Sequence, residues 1–363
     1  MRNFPCYKVL DFFVITTSES LAEFIEPLRN AGRVSLDTEA DSLHCYFEKL
    51  CLIQISIPGH DVLIDPLAEV SLEPLFAELK NHELILQGLD YDLRLLRRVG
   101  LEEVAGVFDT MIAARLTGIT EFSLAALLER HFGIVLAKGS QKANWAKRPL
   151  SPKMAEYAIN DTRHLLPLAA KLEEELQRLG RGDWFAQSCE KAIAATRINR
   201  ERDLEAAWRI TGSGELRGRA AALLRALWTW RDEEARKVDR PAFHILRNDL
   251  LIEAARRFAS GDQVDVAHLS GGRRKRFYEA AEQGLQLPES EWPRFVRTHR
   301  PRPTPEHERL FAEFKTRRDR SARDHQIESS HIASKSVLEA LAADVEGTLQ
   351  NLLPWQRMLL GFE

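Results

Sequence analysis

The sequence predicts an α/β domain with a mixed sheet, followed by all-α modules. Strand-like and helix-like segments alternate in the first half of the chain, and helical periodicity alone continues after residue 200. The chain has 363 residues, 44% hydrophobic and 29% charged, which is enough for two or three globular domains. A few strands near the front with flanking helices are typical of a mixed-sheet α/β architecture.

The individual elements follow from local patterns. Short apolar runs rich in β-branched residues predict strands, and apolar residues that recur every three or four positions predict helices. The middle strands are expected to be consecutive hairpin partners. We predict strands at 11–16, 33–40, 51–56, 61–65 and 84–88, and helices at 18–31, 72–80, 90–99, 110–116, 123–132 and 152–179.

Several classes of protein are disfavoured by the same sequence. Its longest apolar runs are far below the ~18 residues that a membrane span needs, and its N-terminal segment lacks the apolar core of a signal peptide. The four cysteines, Cys6, Cys45, Cys51 and Cys189, show no C-x-x-C metal spacing and are expected to be reduced thiols. We therefore predict a cytoplasmic protein with no membrane segment, and no obligate protein partner is evident.

Two carboxylates lie at the end of the predicted strand 33–40. Asp37 and Glu39 are separated by one residue, and residues i and i+2 of a strand share a face. Both side chains are therefore expected to point the same way, with Thr38 opposite. Taken alone, such a pair is most often an ordinary polar strand end.

Three more residues stand at informative positions on helices. Asp92 falls in the first turn of the helix after the last predicted strand, where the helix dipole alone would favour a carboxylate. Tyr157 and Asp161 are spaced i, i+4 on a helix that Ser151 and Pro152 begin, so phenol and carboxylate share one face. The alternative there is a tyrosine packed on the core with an exposed aspartate beyond it.

The four carboxylates together form a candidate metal site. Carboxylate oxygens are the hard ligands that magnesium and manganese prefer. Four of them can hold two ions about 4 Å apart, an arrangement that drives in-line attack on a phosphodiester. We predict that the cofactors are two divalent ions, Mg²⁺ with Mn²⁺ as a substitute, and that the ligands are Asp37, Glu39, Asp92 and Asp161.

The three segments that carry these residues resemble the three exonuclease motifs of the DEDD superfamily. They read VSLDTEAD, QGLDYDLRLL and EYAINDTRHLL, and Glu156 stands where a histidine would mark the other subclass, so the tyrosine subclass is favoured. Within it the chain is similar to the ribonuclease D family over its first 200 residues. Gln87 departs from the asparagine or histidine that often begins the second motif, which concerns a backbone-positioning contact and not Asp92.

The resemblance implies a fold and a domain order. It implies a ribonuclease H-like exonuclease domain over 1–205, followed by HRDC-type modules, which are small helical domains also found in RecQ-type helicases. The first module would be an HRDC domain over 215–297. A second HRDC-like helical domain would cover 303–363, after a proline-rich hinge at 300–305.

An activity follows from the same resemblance. We expect a 3′–5′ exoribonuclease that hydrolyses RNA from a single-stranded 3′ end and releases nucleoside 5′-monophosphates, with transfer-RNA precursors and other small structured RNAs as substrates. Tyr157 would be catalytic by orienting the attacking water, because a phenol pKa near 10 is too high for an efficient base. One alternative is a DNA 3′–5′ exonuclease, since the residues alone do not show RNA over DNA. The other, a non-catalytic nucleic-acid-binding adaptor, is disfavoured by the presence of all four acids and the tyrosine.

Contacts with nucleic acid must come from local patches, because the net charge of −3 gives no general attraction to a polyanion. A tryptophan among cations before the third motif suits base stacking on a single strand; the alternative is a tryptophan anchored in the core. Basic residues of the helical modules can bind phosphates, or they can form a solvated helix face. The predicted contacts are Lys138, Gln141, Trp145, Arg148, Arg240, Arg273, Arg274, Lys275 and Arg276.

Overall fold

The computed structural model describes residues 7–9, 12–137, 139–198, 203–294 and 303–362. The chain divides into two compact units. The first combines residues 1–40, 50–199 and 301–363, and the second combines 41–49 with 200–300. Among the described residues, no helix is both long enough and apolar enough to cross a membrane.

One mixed sheet of seven strands, counted over the described residues, forms the centre of the first unit. The strands are β1 (Tyr7–Val9), β2 (Phe12–Ile15), β3 (Arg33–Ala40), β4 (Leu50–Ile57), β5 (His60–Ile64), β6 (Glu83–Leu86) and β7 (Gly106–Asp109), in the order β1-β2-β5-β4-β3-β6-β7. β4 pairs antiparallel with β3 and with β5, which confirms the expected hairpins. β6 runs parallel to both of its neighbours. The four-residue strand β7 was not predicted, because it is too short to show a period.

Eight helices of this unit precede residue 199 in the described part of the chain. They are α1 (Ser18–Arg29), α2 (Glu73–Leu79), α3 (Leu89–Arg98), α4 (Thr110–Leu116), α5 (Leu124–Phe132), α6 (Pro152–Arg163), α7 (Leu165–Arg178) and α8 (Gly182–Thr196). The single helix predicted over 152–179 is in fact two helices. Pro167 explains the break, because it has no N–H for the carbonyl four residues earlier, that of Arg163, and its ring clashes with that carbonyl.

Helices cover both faces of the sheet. Alternate residues of β3, Val34 and Leu36, enter a core shared with α1, α2 and α3. On the opposite face α6 packs through Ala158 and Ile159 against a second core that includes Leu52 of β4. The face of β3 that carries Asp37 therefore points toward α6.

The second unit is helical. Its helices are α9 (Leu204–Ala207), α10 (Gly218–Lys237), α11 (Ala242–Ile245), α12 (Asn248–Ala259) and α13 (Gly271–Gln286). α10 lies at the centre, and α13 packs closely on it: a Cβ added at Gly284 would lie 3.0 Å from a methyl carbon of Leu223. The unit also holds the β3–β4 connection, since the backbone N–H groups of Tyr46 and Phe47 both donate to Asp239, each at 3.0 Å.

The C-terminal helices belong to the first unit. Sequence analysis had instead predicted a separate third domain for this part of the chain. They are α14 (Pro305–Asp324), α15 (Ser329–Ile332), α16 (Lys335–Ala343), α17 (Val345–Leu349) and α18 (Pro354–Leu359). Their apolar side chains share one core with α4, α5, α7 and α8. The ring of Trp355 stacks on Trp184 of α8 at 5.2 Å between centroids. Half of the predicted hinge at 300–305, residues 300–302, lies outside the described residues.

Candidate active site

Asp37 and Glu39 occupy the α6-facing side of β3, as the alternation of the strand predicted. Their neighbours Val34 and Leu36 point into the opposite core. The pairing of β3 with β4 shifts register between Glu39 and Ala40, so the regular ladder ends beside Glu39. Such irregularities re-aim side chains at strand ends and recur next to active sites.

Asp92 lies in the first turn of α3, as predicted, and is buried. The Oγ1 of Thr38 donates to its Oδ1 at 2.5 Å. Thr38 points to the opposite face of β3 from Asp37 and Glu39. The strand therefore contributes two carboxylates on one face, and from its opposite face it orients the carboxylate of Asp92. The turn before α3 depends on Gly88, whose φ of 87° lies in the left-handed region that favours glycine.

Asp109 positions this turn, and sequence analysis missed it. Its buried carboxylate accepts from the backbone N–H groups of Gly88 at 3.2 Å and Leu89 at 2.7 Å. It also caps α4 by accepting from Met111 and Ile112. A signal was available, since an aspartate before a predicted helix is a common N-cap. Its second set of partners is distant in sequence and could not be predicted.

Gln87, the departure from the family pattern at the second motif, also has a positioning contact. Its amide nitrogen donates to the backbone carbonyl of Phe122 at 2.8 Å. Its amide oxygen accepts from the hydroxyl of Thr110, the first residue of α4. The side chain at this position therefore links the start of the second motif to the loop before α5.

Tyr157 and Asp161 share a face of α6, one turn apart. The helix begins as predicted, with the Ser151 side chain accepting from the backbone of Met154 at 3.3 Å. The Tyr157 hydroxyl lies beside the carboxylate of Asp161, and the side chain of Gln141 lies beside the phenol. The phenol is thus held between two polar groups beside the acids.

The tertiary fold brings the first and third motifs together. One carboxylate oxygen each from Asp37, Glu39 and Asp161 lie within 4.8 Å of one another. Asp92 lies close enough for its charge to raise the pKa of both Asp37 and Glu39. Acids from three separate segments therefore lie near one another, three of them in one cluster and Asp92 beside it.

The electrostatics of this cluster are unfavourable without a cation. Burial, followed by the charges of neighbouring acids, raises the pKa of Asp37 well above its ordinary value and that of Glu39 to about 9. Burial raises the pKa of Asp161 to about 7 and that of Asp92 to about 6. The neighbouring charges that contribute most to these pKa shifts are those of carboxylates. The acids therefore repel one another, and a bound cation would relieve that repulsion.

The donor set fits divalent metal ions of the hard class. It consists of carboxylate oxygens, the ligands that Mg²⁺ and Mn²⁺ prefer, and histidine and cysteine are not part of the described cluster. The oxygens lie close enough to bind a common ion. The geometry is therefore suited to binding a divalent metal ion.

The segment before α6 differs from the prediction at two residues. Trp145 is 1% exposed and packs in the core, with its ring centroid 6.1 Å from that of Tyr157, so no base can stack on it in this arrangement. Arg148 forms an ion pair with Asp65 at 2.5 Å and donates to backbone carbonyls, which commits it to the fold. Gln141 lies beside Tyr157 and therefore at the site. Lys138 lies outside the described residues.

The predicted basic contacts of the second unit divide into two groups. Arg273 and Arg276 both donate to the buried carboxylate of Glu234, whose single negative charge offsets only part of theirs. The other three side chains are exposed. Arg240 donates weakly to a backbone carbonyl, at 3.4 Å, Lys275 lies 3.8 Å from Glu279, and Arg274 points to solvent. A phosphate contact stays a prediction for all five residues, and Arg240, Arg274 and Lys275 are the ones without a buried acid as partner among the described residues.

Comparison with known proteins agrees with this geometry. A family model described as 3′-5′ exonuclease matches residues 12–177, and an HRDC domain model matches 220–277. The ribonuclease D of Gluconacetobacter diazotrophicus is 30% identical over 97% of this chain and 92% of its own length. A crystal structure from Bifidobacterium adolescentis has a TM-score of 0.82 at 27% identity, covering 96% of this chain and 94% of that one. The Escherichia coli RNase D structure has a TM-score of 0.69 at 27% identity, covering 95% and 92%.

The fold and the acidic site thus define a 3′–5′ exonuclease that carries an HRDC domain. Because a relative of this identity matches nearly the whole length of both proteins, a finer assignment follows. The chain belongs to the ribonuclease D family, and it is a 3′–5′ exoribonuclease.

Proposed function

We propose that the chain hydrolyses the terminal phosphodiester at the 3′ end of RNA and releases nucleoside 5′-monophosphates one at a time. The convergence of Asp37, Glu39 and Asp161 within 4.8 Å, with Asp92 beside them, is the observation that carries this proposal. One buried and three partly buried acids that repel one another are costly for a fold, and such clusters are typical of functional sites.

The same four carboxylates are the proposed ligands of two divalent ions, Mg²⁺ or Mn²⁺. When bound, such ions acidify a water and stabilise the charge that develops on the leaving oxygen. The acid cluster supplies the negative charge that attracts them, and Thr38 holds Asp92 in place. The proposed direction of attack, with departure of a 3′-oxygen, leaves the phosphate on the released nucleotide.

Tyr157 is proposed to orient the attacking water. Burial and the nearby charges of Asp161, Glu39 and Asp37 raise the pKa of its phenol well above the ordinary value of 10. The hydroxyl therefore keeps its proton at neutral pH and is a poor base. Held between Gln141 and Asp161, it is a fixed hydrogen-bonding group beside the acids.

The proposed substrates are RNAs with a single-stranded 3′ end, transfer-RNA precursors and other small structured RNAs among them. The solved Escherichia coli relative is described as an exoribonuclease involved in structured RNA processing. In this chain the exposed cations Arg240, Arg274 and Lys275 lie in the second unit, which carries the HRDC domain (the HRDC unit). They are candidates for holding the body of such an RNA. A cytoplasmic location is proposed because Cys45 and Cys189 are buried thiols that form no disulfide within the described part of the chain.

One assay tests the proposal. Purified protein is mixed with RNA labelled at its 5′ end and carrying a single-stranded 3′ tail, with Mg²⁺ or with chelator. We expect a ladder shortened one residue at a time, nucleoside 5′-monophosphates as products, and no activity with chelator. A 3′-phosphate on the substrate should slow the reaction, and inorganic phosphate should not be needed.

Three outcomes would contradict the mechanism: internal fragments, nucleoside diphosphates, or cleavage that persists with chelator. A DNA strand of the same sequence serves as the matched substrate. Equal rates on both strands would favour the alternative activity on DNA, because a preference for RNA requires a contact that detects the 2′-hydroxyl.

A further inference from the structure

A glutamine lies in an apolar position next to the acid cluster. Reading across the sheet, Val14 of β2 pairs with Leu63 of β5, Leu63 pairs with Gln54 of β4, and Gln54 pairs with Asp37 of β3. Partners in register point to the same face of a sheet. The row therefore passes from two apolar side chains through one amide to one of the catalytic carboxylates.

This face is covered by α6. Leu52 of β4, two residues before Gln54, enters the core under α6, and Ser56, two residues after it, hydrogen-bonds Thr162 of α6 at 2.9 Å between hydroxyl oxygens. Gln54 lies between them on the same face and has no exposed surface. Asp161 is the residue just before Thr162, so the amide is enclosed by the elements that carry the first and third motifs.

The amide makes no hydrogen bond in this structure. Both its nitrogen and its oxygen are buried and unpartnered among the described residues. A buried, unpaired amide destabilises a fold, and an apolar residue of the same length would suit the two neighbours in the row better. A polar residue at such a position is expected where its function offsets the loss of stability.

We propose that Gln54 is a positioning residue for Asp37: its amide nitrogen donates to the Asp37 carboxylate in the working enzyme and fixes the direction in which that carboxylate faces the metal site. This inference rests on the function proposed above. Because Gln54 is fully buried, it cannot touch RNA, so its effect must pass through Asp37. Outer partners that hold a ligating carboxylate set metal affinity and rate together.

The test is Gln54→Met, which keeps the length of the side chain and removes its polar atoms. In metal-free protein the melting temperature should be unchanged or higher, because an unpaired amide has been replaced by an apolar group. Mn²⁺ affinity, measured by titration without substrate, should fall about 10- to 100-fold, and kcat should fall with it. KM for RNA at saturating metal should stay unchanged.

Leu63→Met is the matched control, since Leu63 is the next residue of the same row on the side away from Asp37. It should leave Mn²⁺ affinity and kcat unchanged. Gln54→Leu serves as the second apolar variant and should behave like Gln54→Met.

Normal Mn²⁺ affinity and kcat in both Gln54 variants would overturn the inference. So would loss of folding in both, because the amide would then be needed for the fold. Asp37→Ala distinguishes failure of the role of Gln54 from failure of the proposed function. Activity that survives this change would refute the proposed function itself. Inactive Asp37→Ala beside fully active Gln54→Met would refute only the role of Gln54.

Discussion

The two units of this protein treat buried carboxylates in opposite ways. In the HRDC unit, Glu234 is 2% exposed and accepts from Arg276 at 2.7 Å, from Arg273 at 3.3 Å and from Lys237 at 3.4 Å. These cations lower the pKa of Glu234 to about 2. In the first unit, which carries the acids of the exonuclease site (the exonuclease unit), burial and neighbouring acids raise the pKa of Glu39 to about 9.

The contrast indicates two different roles for acids in the protein interior. Glu234 is neutralised within its own fold, so its ion pairs help to hold α10 and α13 together. The exonuclease acids are left for a ligand to neutralise, and their repulsion weakens the metal-free fold. A basic run near an acid can therefore be structural, whereas acids gathered around acids indicate a site.

The largest expected effect is loss of activity in Asp92→Ala. Removing one acid of the cluster should lower kcat more than about 100-fold, beyond the loss typical for residues that only support a ligand. Circular dichroism should show an intact fold. Asp90→Ala is the control, since Asp90 lies in the same helical turn but is exposed and pairs with Arg94. Comparable activity in both variants would show that Asp92 is not needed at the site.

The HRDC unit should show the converse behaviour in Glu234→Ala. Loss of this acid leaves two arginines facing each other, and stability should fall by about 3 kcal/mol, the low end for breaking a buried pair, because the arginines stay partly hydrated. Denaturant unfolding measures the loss. Cleavage of a short single strand should be unchanged. Glu233→Ala, an exposed neighbour on α10, should change neither.

Tyr157→Phe should have a smaller effect within the exonuclease unit. The change removes the hydroxyl that lies beside Asp161 and is proposed to orient the attacking water, and kcat should fall roughly 10- to 100-fold, the loss expected for one hydrogen bond to a charged group. KM for RNA should change little. Tyr91→Phe, at an exposed tyrosine beside the second motif, is the control. An unchanged kcat at saturating Mg²⁺ would remove Tyr157 from the mechanism.

The smallest effect concerns pH, where the two units should differ in sign. The pKa of Glu234 is lowered from 4.5 to about 2, so its stabilising contribution is complete above pH 4.5 and is lost as the pH falls toward 2. The pKa of Glu39 is raised from 4.5 to about 9, so the metal-free fold is most stable, as far as this group is concerned, below pH 4.5. That contribution is lost as the pH rises toward 9.

Melting temperatures of the parent protein, Glu234→Gln and Glu39→Gln between pH 2 and pH 9 test this contrast. The deficit of Glu234→Gln should shrink in acid, and Glu39→Gln should gain on the parent as the pH rises. Mg²⁺ should reduce the second trend and leave the first, because metal binding displaces protons from its ligands. Parallel curves for the two variants would contradict the predicted difference in pH dependence between the two units.

Local sequence patterns were sufficient to predict the main elements and the residue types of the site. Strand alternation gave Asp37 and Glu39 a common face, helical spacing paired Tyr157 with Asp161, and the helix start located Asp92. These predictions hold because period and capping are local properties of the chain. The metal and catalytic roles of the five residues are still predictions.

Pairs of residues that are far apart in sequence could be identified only from the folded chain. Trp145 is enclosed by strands that precede it by more than eighty residues, Arg148 pairs with Asp65, and the C-terminal helices complete the exonuclease core. Arg273 and Arg276 differ from Arg274 only in facing Glu234. Local sequence shows that a side chain is basic or aromatic, but burial and neutralisation depend on distant partners that only the fold supplies.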